Sequence, residues 1–259
     1  MLPMQRRVML RRSGLVRAPE TERVHLAAAF RWMARFGFHE GVANHSSVCA
    51  DGKSMLVNPG SRHFSKLRAS DMVAIDVDAS ASTAAENGID PTAFALHSVL
   101  HRRFGEKARC LVHAHPVNAT ALSALKDKTL PAIDQNCARF FNRVKVDHEF
   151  LGMAMEDEPD RLASAISPLG NERVILMGNH GVTTLGPSIG DALDTLYYFE
   201  RACAIYMTAK STGMELSVMS DEVAEKTAQQ WENEFGGCGQ QHFTELLRIL
   251  DEEEPQYKM

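Results

Sequence analysis

The stretch Cys110-Leu-Val-His113-Ala-His115-Pro116 places two histidines two residues apart at the end of an apolar run. In a β-strand, residues i and i+2 project from the same face, so this spacing predicts two imidazoles side by side. A third histidine, His180, follows a second apolar run over Val174–Met177. Three neutral imidazoles with open positions beside them are typical of a catalytic divalent metal. The alternative is that each histidine is an ordinary residue at a strand end.

Composition narrows the classes of protein to consider. The 259 residues can bury one sizeable core, and we predict one main domain. The net charge of −5 and the pI near 6.1 give no electrostatic reason to expect nucleic acid as a partner, because no basic stripe dominates. No run of about 18 apolar residues occurs, so we predict no membrane span. Five scattered cysteines without a C-x-x-C pair indicate free thiols, and we expect a cytoplasmic protein that acts on a small molecule.

Hydrophobic periodicity and turn residues predict strands and helices in mixed order. The Asp51-Gly52 pair indicates a hairpin over residues 46–57, and Asp90 before Pro91 is suited to begin a helix that runs to Phe104. Ser188-x-x-Asp191 resembles a capping box before a long helix. Further strands are predicted at 71–77, 110–115, 144–146, 174–177 and 182–184, and further helices at 20–36, 116–125, 157–166, 221–235 and 240–253. This order predicts an α/β or α+β layer structure with helices on both faces of one sheet.

Five short motifs lie beside these elements: Gly41-Val-Ala-Asn44, Val57-Asn-Pro-Gly60, Pro91 opening a helix that contains His97, Val112-His113-Ala-His115, and Asn179-His180-Gly181. Together they resemble the class II (metal-dependent) aldolase and adducin-head family. The resemblance covers about residues 20–215. We predict that residues 1–19 form a flexible N-terminal arm and that residues 216–259 form C-terminal helices that complete the domain or make subunit contacts. The resemblance implies a single three-layer α/β/α domain with a central, mostly antiparallel sheet, assembled as a homotetramer.

The resemblance also implies a function. His113, His115 and His180 would bind a divalent metal, most often zinc, although manganese or iron also suits three histidines with open positions. The implied activity is that of a metal-dependent lyase, a decarboxylase or an aldolase, which cleaves a C–C bond in a small oxo or hydroxy carboxylic acid through a metal-bound enolate. Two alternatives are an Fe(II)-dependent oxygenase on the same scaffold and a non-catalytic, adducin-like binding module.

One position departs from the family pattern. Aldolases of the family carry an acidic proton carrier one helical turn before the position that matches His97. Here Ala93, or Phe94 if the register shifts by one, stands in its place. Neither side chain can transfer a proton, so the usual aldol cleavage is disfavoured and decarboxylation gains weight. A phenylalanine there would also indicate an apolar or aromatic part of the substrate.

Further polar residues near the motifs are candidates for contact with the substrate or for catalysis. Arg62 and His63 lie in a loop that would hold an anionic group, since arginine binds carboxylate through two hydrogen bonds, but an ordinary solvated loop has the same composition. His97 and His101, four apart on one helix, suit a supporting or packing role better than a separate metal site. The predicted substrate contacts are Asn44, Gly60, Arg62, His63, Thr92 and Phe94, and the predicted replacement acid/base residues are His148 and Glu149.

Overall fold

A seven-stranded sheet lies at the centre of the structure, a computed structural model that describes residues 20–152, 158–233 and 238–259. The strands are β1 His45–Cys49, β2 Ser54–Val57, β3 Val73–Asp76, β4 Cys110–Ala114, β5 Val144–Asp147, β6 Val174–Met177 and β7 Gly181–Gly186. Their order in the sheet is β3-β2-β1-β4-β7-β6-β5. Neighbouring strands are antiparallel except β5 and β6, which are parallel. The predicted, mostly antiparallel sheet is thereby confirmed.

Helices cover both faces of this sheet. They are α1 Glu20–Phe36, α2 Ala81–Glu86, α3 Pro91–Phe104, α4 Val117–Ser123, α5 Gln135–Arg139, α6 Glu158–Ala165, α7 Ile189–Ser211, α8 Asp221–Asn233 and α9 Cys238–Glu253. On one face, Phe30 of α1 and Leu196 of α7 share a buried cluster with Val112 of β4. On the other face, Leu100 of α3 packs in a second cluster with Leu111, the next residue back along β4. The alternation of side chains along β4 therefore divides the core into the two halves of a three-layer α/β/α domain.

The helix starts follow the capping chemistry that the sequence predicts. The Asp90 side chain accepts hydrogen bonds from the backbone N–H groups of Thr92 and Ala93, and the Ser188 hydroxyl accepts one from Asp191 N–H. Both predicted caps are confirmed. Two short helices, α2 and α5, were not predicted, because elements of 6 and 5 residues are too short to show a helical period.

Several predicted boundaries fall at or beyond the edge of the described residues. Outside them lie the predicted arm over residues 1–19, the first residue of the helix predicted over 157–166, and the last two residues of the helix predicted over 221–235. The helix predicted from residue 240 begins at Cys238. Among the helices that the structure describes, none is both long and apolar enough to cross a membrane.

Strand register decides which side chains meet at the end of the central strands. His45 of β1 lies directly opposite His113 of β4, and His113 lies opposite Thr183 of β7. Residues directly opposite one another in antiparallel strands share a face, so these three side chains form a row across three strands. The row lies on the face covered by α3, because Leu111, two residues before His113, packs against that helix.

Candidate metal centre

The three histidines predicted as ligands lie together at one end of the central strands. His113 is in β4, His115 follows that strand, and His180 occupies the turn between β6 and β7. One nitrogen from each ring lies within 4.8 Å of the other two, and His113 Nε2 and His115 Nε2 are 3.0 Å apart. Zn–N bonds of about 2.0–2.1 Å at a tetrahedral angle separate two nitrogens by about 3.3 Å, so this spacing fits a shared ion.

The turn that carries His180 has a demanding backbone path. Asn179 adopts a positive φ of 54°, which asparagine tolerates better than most residues. Gly181 follows because a Cβ at this position would overlap the His115 ring and lie 2.8 Å from the Ala114 carbonyl oxygen. The Asn-His-Gly sequence is therefore what lets two separate strand ends bring their histidines into one cluster.

Hydrogen bonds orient two of the rings with Nε2 towards the cluster. His115 Nδ1 bonds the Glu40 carboxylate at 2.5 Å, and a carboxylate accepts hydrogen bonds, so the proton lies on Nδ1 and Nε2 keeps a lone pair. His113 Nδ1 lies 3.0 Å from the Thr183 hydroxyl oxygen, which can accept a hydrogen bond from Nδ1–H and so leave a lone pair on His113 Nε2. Metal-ligating histidines regularly donate their second N–H to such groups, so the donor set fits a divalent cation.

Burial keeps these imidazoles in the form that binds a metal. Burial, with a contribution from neighbouring histidines, lowers the pKa of His113 well below its ordinary value. Burial, together with the nearby His115, lowers the pKa of His180 to about 4. Both rings are therefore neutral at pH 7, as metal coordination requires.

A cavity of about 350 Å³ opens beside the three histidines. The described residues that line it are Val42, Ala43, Asn44, His45, Asn58, Gly60, Asp90, Thr92, Ala93, Leu96, His113, His115, Phe150, Asn179 and His180. Its wall thus combines the histidines with amide and hydroxyl groups and an apolar part.

Asn44 is the polar side chain of this wall that is best placed to bind a ligand. Its side chain is 6% exposed, yet both its Oδ1 and its Nδ2 are buried without a hydrogen-bond partner in the described structure. Its backbone has a positive φ of 76°. Buried polar atoms in proteins are nearly always paired with protein, water or ligand, so these two atoms at the cavity wall are available to bind a water or a ligand.

The predicted substrate contacts divide into two groups. Asn44, Gly60 and Thr92 line the cavity. Arg62 and His63 do not line it, because Arg62 pairs with Asp71 and His63 accepts a hydrogen bond from Ser65 N–H at the start of a short helical turn.

The position that departs from the family pattern is resolved by the packing of α3. Ala93 lines the cavity, whereas Phe94 is 4% exposed and packs in a buried cluster with Met55 and Val57. Successive helix residues are about 100° apart around the axis, so one faces the site and the next faces the sheet. A phenylalanine ring does line the cavity, that of Phe150, whose centroid lies 5.9 Å from that of His180.

The predicted acid/base residues lie near the site but outside the cavity lining. His148 is exposed. Glu149 has a side chain that is 69% exposed, lies 3.9 Å from the Arg161 guanidinium, and borders a small crevice that also includes His180. Their catalytic role remains a prediction.

Several site residues were not predicted from the sequence. Glu40 and Thr183 form hydrogen bonds with His115 and His113, and His45 and Asp90 line the cavity. Burial tends to raise the pKa of Asp90, but hydrogen bonds from Thr92 and Ala93 outweigh it and lower that pKa. A signal was available for His45, since it directly follows Asn44 in the sequence, but only the pairing of β1 with β4 shows that it lies beside His113.

Three histidines cluster at the end of a mostly antiparallel sheet, beside a cavity with polar and apolar walls, and form a donor set that suits a divalent cation. The chain belongs to the class II aldolase and adducin N-terminal domain family, whose sequence profile matches residues 24–207. The crystal structure of an aldolase II superfamily protein from Pseudomonas syringae superposes with a TM-score of 0.81 at 29% identity, covering 94% of this chain and 98% of that one.

Relatives in this family carry names of different reactions. The decarboxylase NovR of Streptomyces niveus is 27% identical over 208 residues, covering 79% of this chain and 75% of the relative. A protein of Streptomyces roseochromogenus named 4-hydroxy-3-prenylphenylpyruvate oxygenase/4-hydroxy-3-prenylbenzoate synthase is also 27% identical over 208 residues, covering 79% and 73%. Family membership therefore leaves the reaction to be argued from the site.

Proposed function

We propose that this protein is a metal-dependent lyase that cleaves a C–C bond in a small oxo or hydroxy carboxylic acid, with decarboxylation favoured over aldol cleavage. The observation that carries the proposal is the trio His113, His115 and His180, whose nitrogens lie within 4.8 Å of one another at the wall of a cavity. A bound divalent cation, zinc in the first instance, supplies Lewis acid stabilisation of the negative charge that develops on substrate oxygen as the bond breaks.

The cavity wall supports a carboxylic acid with an apolar part. Asn44 offers an amide N–H donor and a carbonyl acceptor, both buried and without a partner in the described structure. An amide N–H suits a carboxylate oxygen, and its desolvated position strengthens the bond. Val42, Leu96 and Phe150 add apolar surface to the same wall, which suits an alkyl or aryl substituent more than a sugar phosphate.

The proton chemistry of the site favours decarboxylation. Ala93 faces the cavity where an aldolase of the family would carry its acid, and a methyl group transfers no proton. Among the lining residues that the structure describes, Asp90 is the one acidic residue, and the hydrogen bonds by which it caps α3 lower its pKa. Ionised at neutral pH, Asp90 is an acceptor and not a proton donor. Loss of CO2 needs an electron sink and a late protonation, which solvent can supply.

Metal analysis followed by a substrate panel tests this proposal. The protein is purified without added metal, analysed for bound metal, and loaded in turn with zinc, manganese and Fe(II). Each form is then incubated with 2-oxo, 3-oxo and hydroxy acids while CO2 release is followed. We expect stoichiometric metal and CO2 release from at least one acid, both lost in His115→Ala. A protein that binds no stoichiometric metal, or a His115→Ala variant with unchanged turnover, contradicts the proposal.

One relative supports a second candidate, an Fe(II)-dependent oxygenase. Its name describes an oxygenase, and it matches this chain at the same 27% identity as the decarboxylase. Three histidines with open positions also suit Fe(II). Oxygen consumption that accompanies turnover of the iron form, with an inactive zinc form, would favour this candidate. Ligand binding that persists without any metal would favour an adducin-like binding module.

A further inference from the structure

A chain of buried hydrogen bonds runs from α3 to the cavity behind the ligand histidines. His101 Nδ1 lies 2.6 Å from the Ala108 carbonyl oxygen, and His101 Nε2 lies 2.7 Å from Ser47 Oγ. Ser47 Oγ also contacts His97 Nδ1, and His97 Nε2 lies 2.7 Å from His45 Nδ1. The four side chains are between 0% and 8% exposed. Buried polar chains of this kind hold their members in one arrangement.

The donors and acceptors in this chain can be assigned in sequence from its inner end. The Ala108 carbonyl only accepts, so the His101 proton is on Nδ1 and its Nε2 accepts from the Ser47 hydroxyl. Ser47 has one proton to give, so its oxygen must accept from His97 Nδ1–H. Burial lowers the pKa of His97 well below its ordinary value and that of His101 to about 4, which keeps both rings neutral at pH 7.

The assignment ends on His45 at the cavity. The neutral His97 ring accepts at Nε2, so His45 donates from Nδ1 and keeps a lone pair on Nε2. His45 lines the cavity, and its Nε2 has no hydrogen-bond partner among the described residues and is not one of the fully buried polar atoms. Nε2 is therefore an acceptor directed towards the cavity.

The position of His45 distinguishes it from the metal ligands. Its ring stacks on that of His113, with centroids 4.7 Å apart and planes 22° apart. It is not a member of the group in which His113, His115 and His180 offer nitrogens within 4.8 Å of one another. A molecule held at the three ligands would therefore meet the His45 acceptor beside them.

We propose that His45 accepts a hydrogen bond from a substrate hydroxyl, so that the site selects acids that carry a hydroxyl beside the oxygen atoms held at the three histidines, with Ser47, His97 and His101 as positioning residues. The inference rests on the proposed function and narrows its substrate class to hydroxylated oxo acids, whose carbonyl group still takes up the electron pair when the C–C bond breaks. An analogue with an oxo group in place of that hydroxyl offers no proton to the acceptor, which is then left unpaired at the cavity wall. Sites built to bond a substrate hydroxyl discriminate strongly against analogues that lack it.

Histidine nitrogen NMR tests the assignment without metal or turnover. With 15N-labelled histidine side chains in the metal-free protein, we expect His45, His97 and His101 all to carry the proton on Nδ1, and His45 Nε2 to give the signal of an unprotonated ring nitrogen. A proton on Nε2 of the neutral His45 ring would overturn the inference, whether or not the protein binds a metal.

Ligand preference tests the consequence. The probes are mandelate and phenylglyoxylate, two aryl acids of similar shape that can both chelate through carboxylate and the adjacent oxygen, but of which only mandelate has the hydroxyl proton. Binding to the zinc-loaded protein is measured by calorimetry. We expect mandelate to bind about ten-fold or more tightly than phenylglyoxylate, with the ratio retained in His45→Gln, which keeps a donor and an acceptor, and lost in His45→Phe.

The chain offers a matched control for the positioning role. Ser46 and Ser47 are adjacent and both 0% exposed, but Ser46 Oγ lies 3.9 Å from Met33 Sδ on the opposite face of β1. Ser47→Ala should reduce the mandelate preference and mix the His45 tautomers, whereas Ser46→Ala should change neither. An unchanged preference in both His45→Phe and Ser47→Ala, with zinc still bound, overturns the inference alone. Failure of the wild-type protein to bind zinc, manganese or Fe(II) overturns the proposed function on which it rests.

Discussion

Replacing Thr183 by valine should weaken metal binding, although Thr183 is not itself one of the three candidate ligands. The Thr183 hydroxyl lies 3.0 Å from His113 Nδ1, and Thr183 and His113 are 0% and 2% exposed. Valine has nearly the same shape, so the substitution removes the acceptor without opening a large cavity. Water has no access to replace it, and the Nδ1–H of the metal-binding tautomer loses its partner.

The magnitude follows from this burial. A buried donor left without an acceptor costs about 1–3 kcal/mol, and loss of a group that orients a ligand typically costs about 10–100-fold in metal affinity. Because both partners are almost fully buried, we expect an effect in the middle of that range, about 30-fold.

Thr184 is the matched control on the same strand. It is also 0% exposed, and its hydroxyl donates to the Ala192 carbonyl at 2.8 Å on the opposite face of the sheet. Thr184→Val should lower the free energy of unfolding by about 1 kcal/mol or somewhat more but leave zinc affinity unchanged. Zinc affinity is measured by competition with a chromophoric chelator, and stability by urea unfolding of the metal-free protein. The reasoning would be refuted if Thr183→Val bound zinc as tightly as the wild type. It would also be refuted if Thr183→Val and Thr184→Val lost the same amount of zinc affinity.

Three further results are expected. Glu40→Gln should lower zinc affinity by about ten-fold in the same competition assay. This is the smaller end of the range, because the Glu40 carboxylate is 65% exposed. An unchanged zinc affinity would exclude the Glu40–His115 hydrogen bond as a contact that orients the ring. Gly181→Ala should abolish tight zinc binding in equilibrium dialysis, since its Cβ would overlap the His115 ring, and full retention of zinc would contradict this close approach. The metal-free protein should lose stability as pH falls from 6.5 towards 4, because the unfolded chain binds a proton at His101 that the folded chain, with its pKa lowered by burial to about 4, does not. That group contributes about 1.4 kcal/mol per pH unit, and urea midpoints that stay constant over this range would contradict it.

The sequence determined the local parts of this protein. The i, i+2 spacing of His113 and His115 follows from the period of a strand, and the Asp90 and Ser188 caps follow from hydrogen bonds within three residues of the helix start. The family motifs, read with these patterns, also identified His180 as the third member of the cluster. Each of these features depends on backbone geometry that neighbouring residues set by themselves.

Only the tertiary structure decided which remote residues share the site. Asn44 and Thr92 face the cavity while Arg62 is drawn to Asp71, a choice that depends on how two loops pack. Ala93, and not Phe94, faces the cavity because α3 is rotated by its packing against the sheet.

The row of His45, His113 and Thr183 likewise depends on strand register. These residues are separated by 68 and 70 positions along the chain, and a shift of one residue in either pairing would turn a side chain to the other face of the sheet. The spacing of residues along one strand is a local property, whereas the pairing of distant strands is selected by burial of the whole core, and no short motif records it.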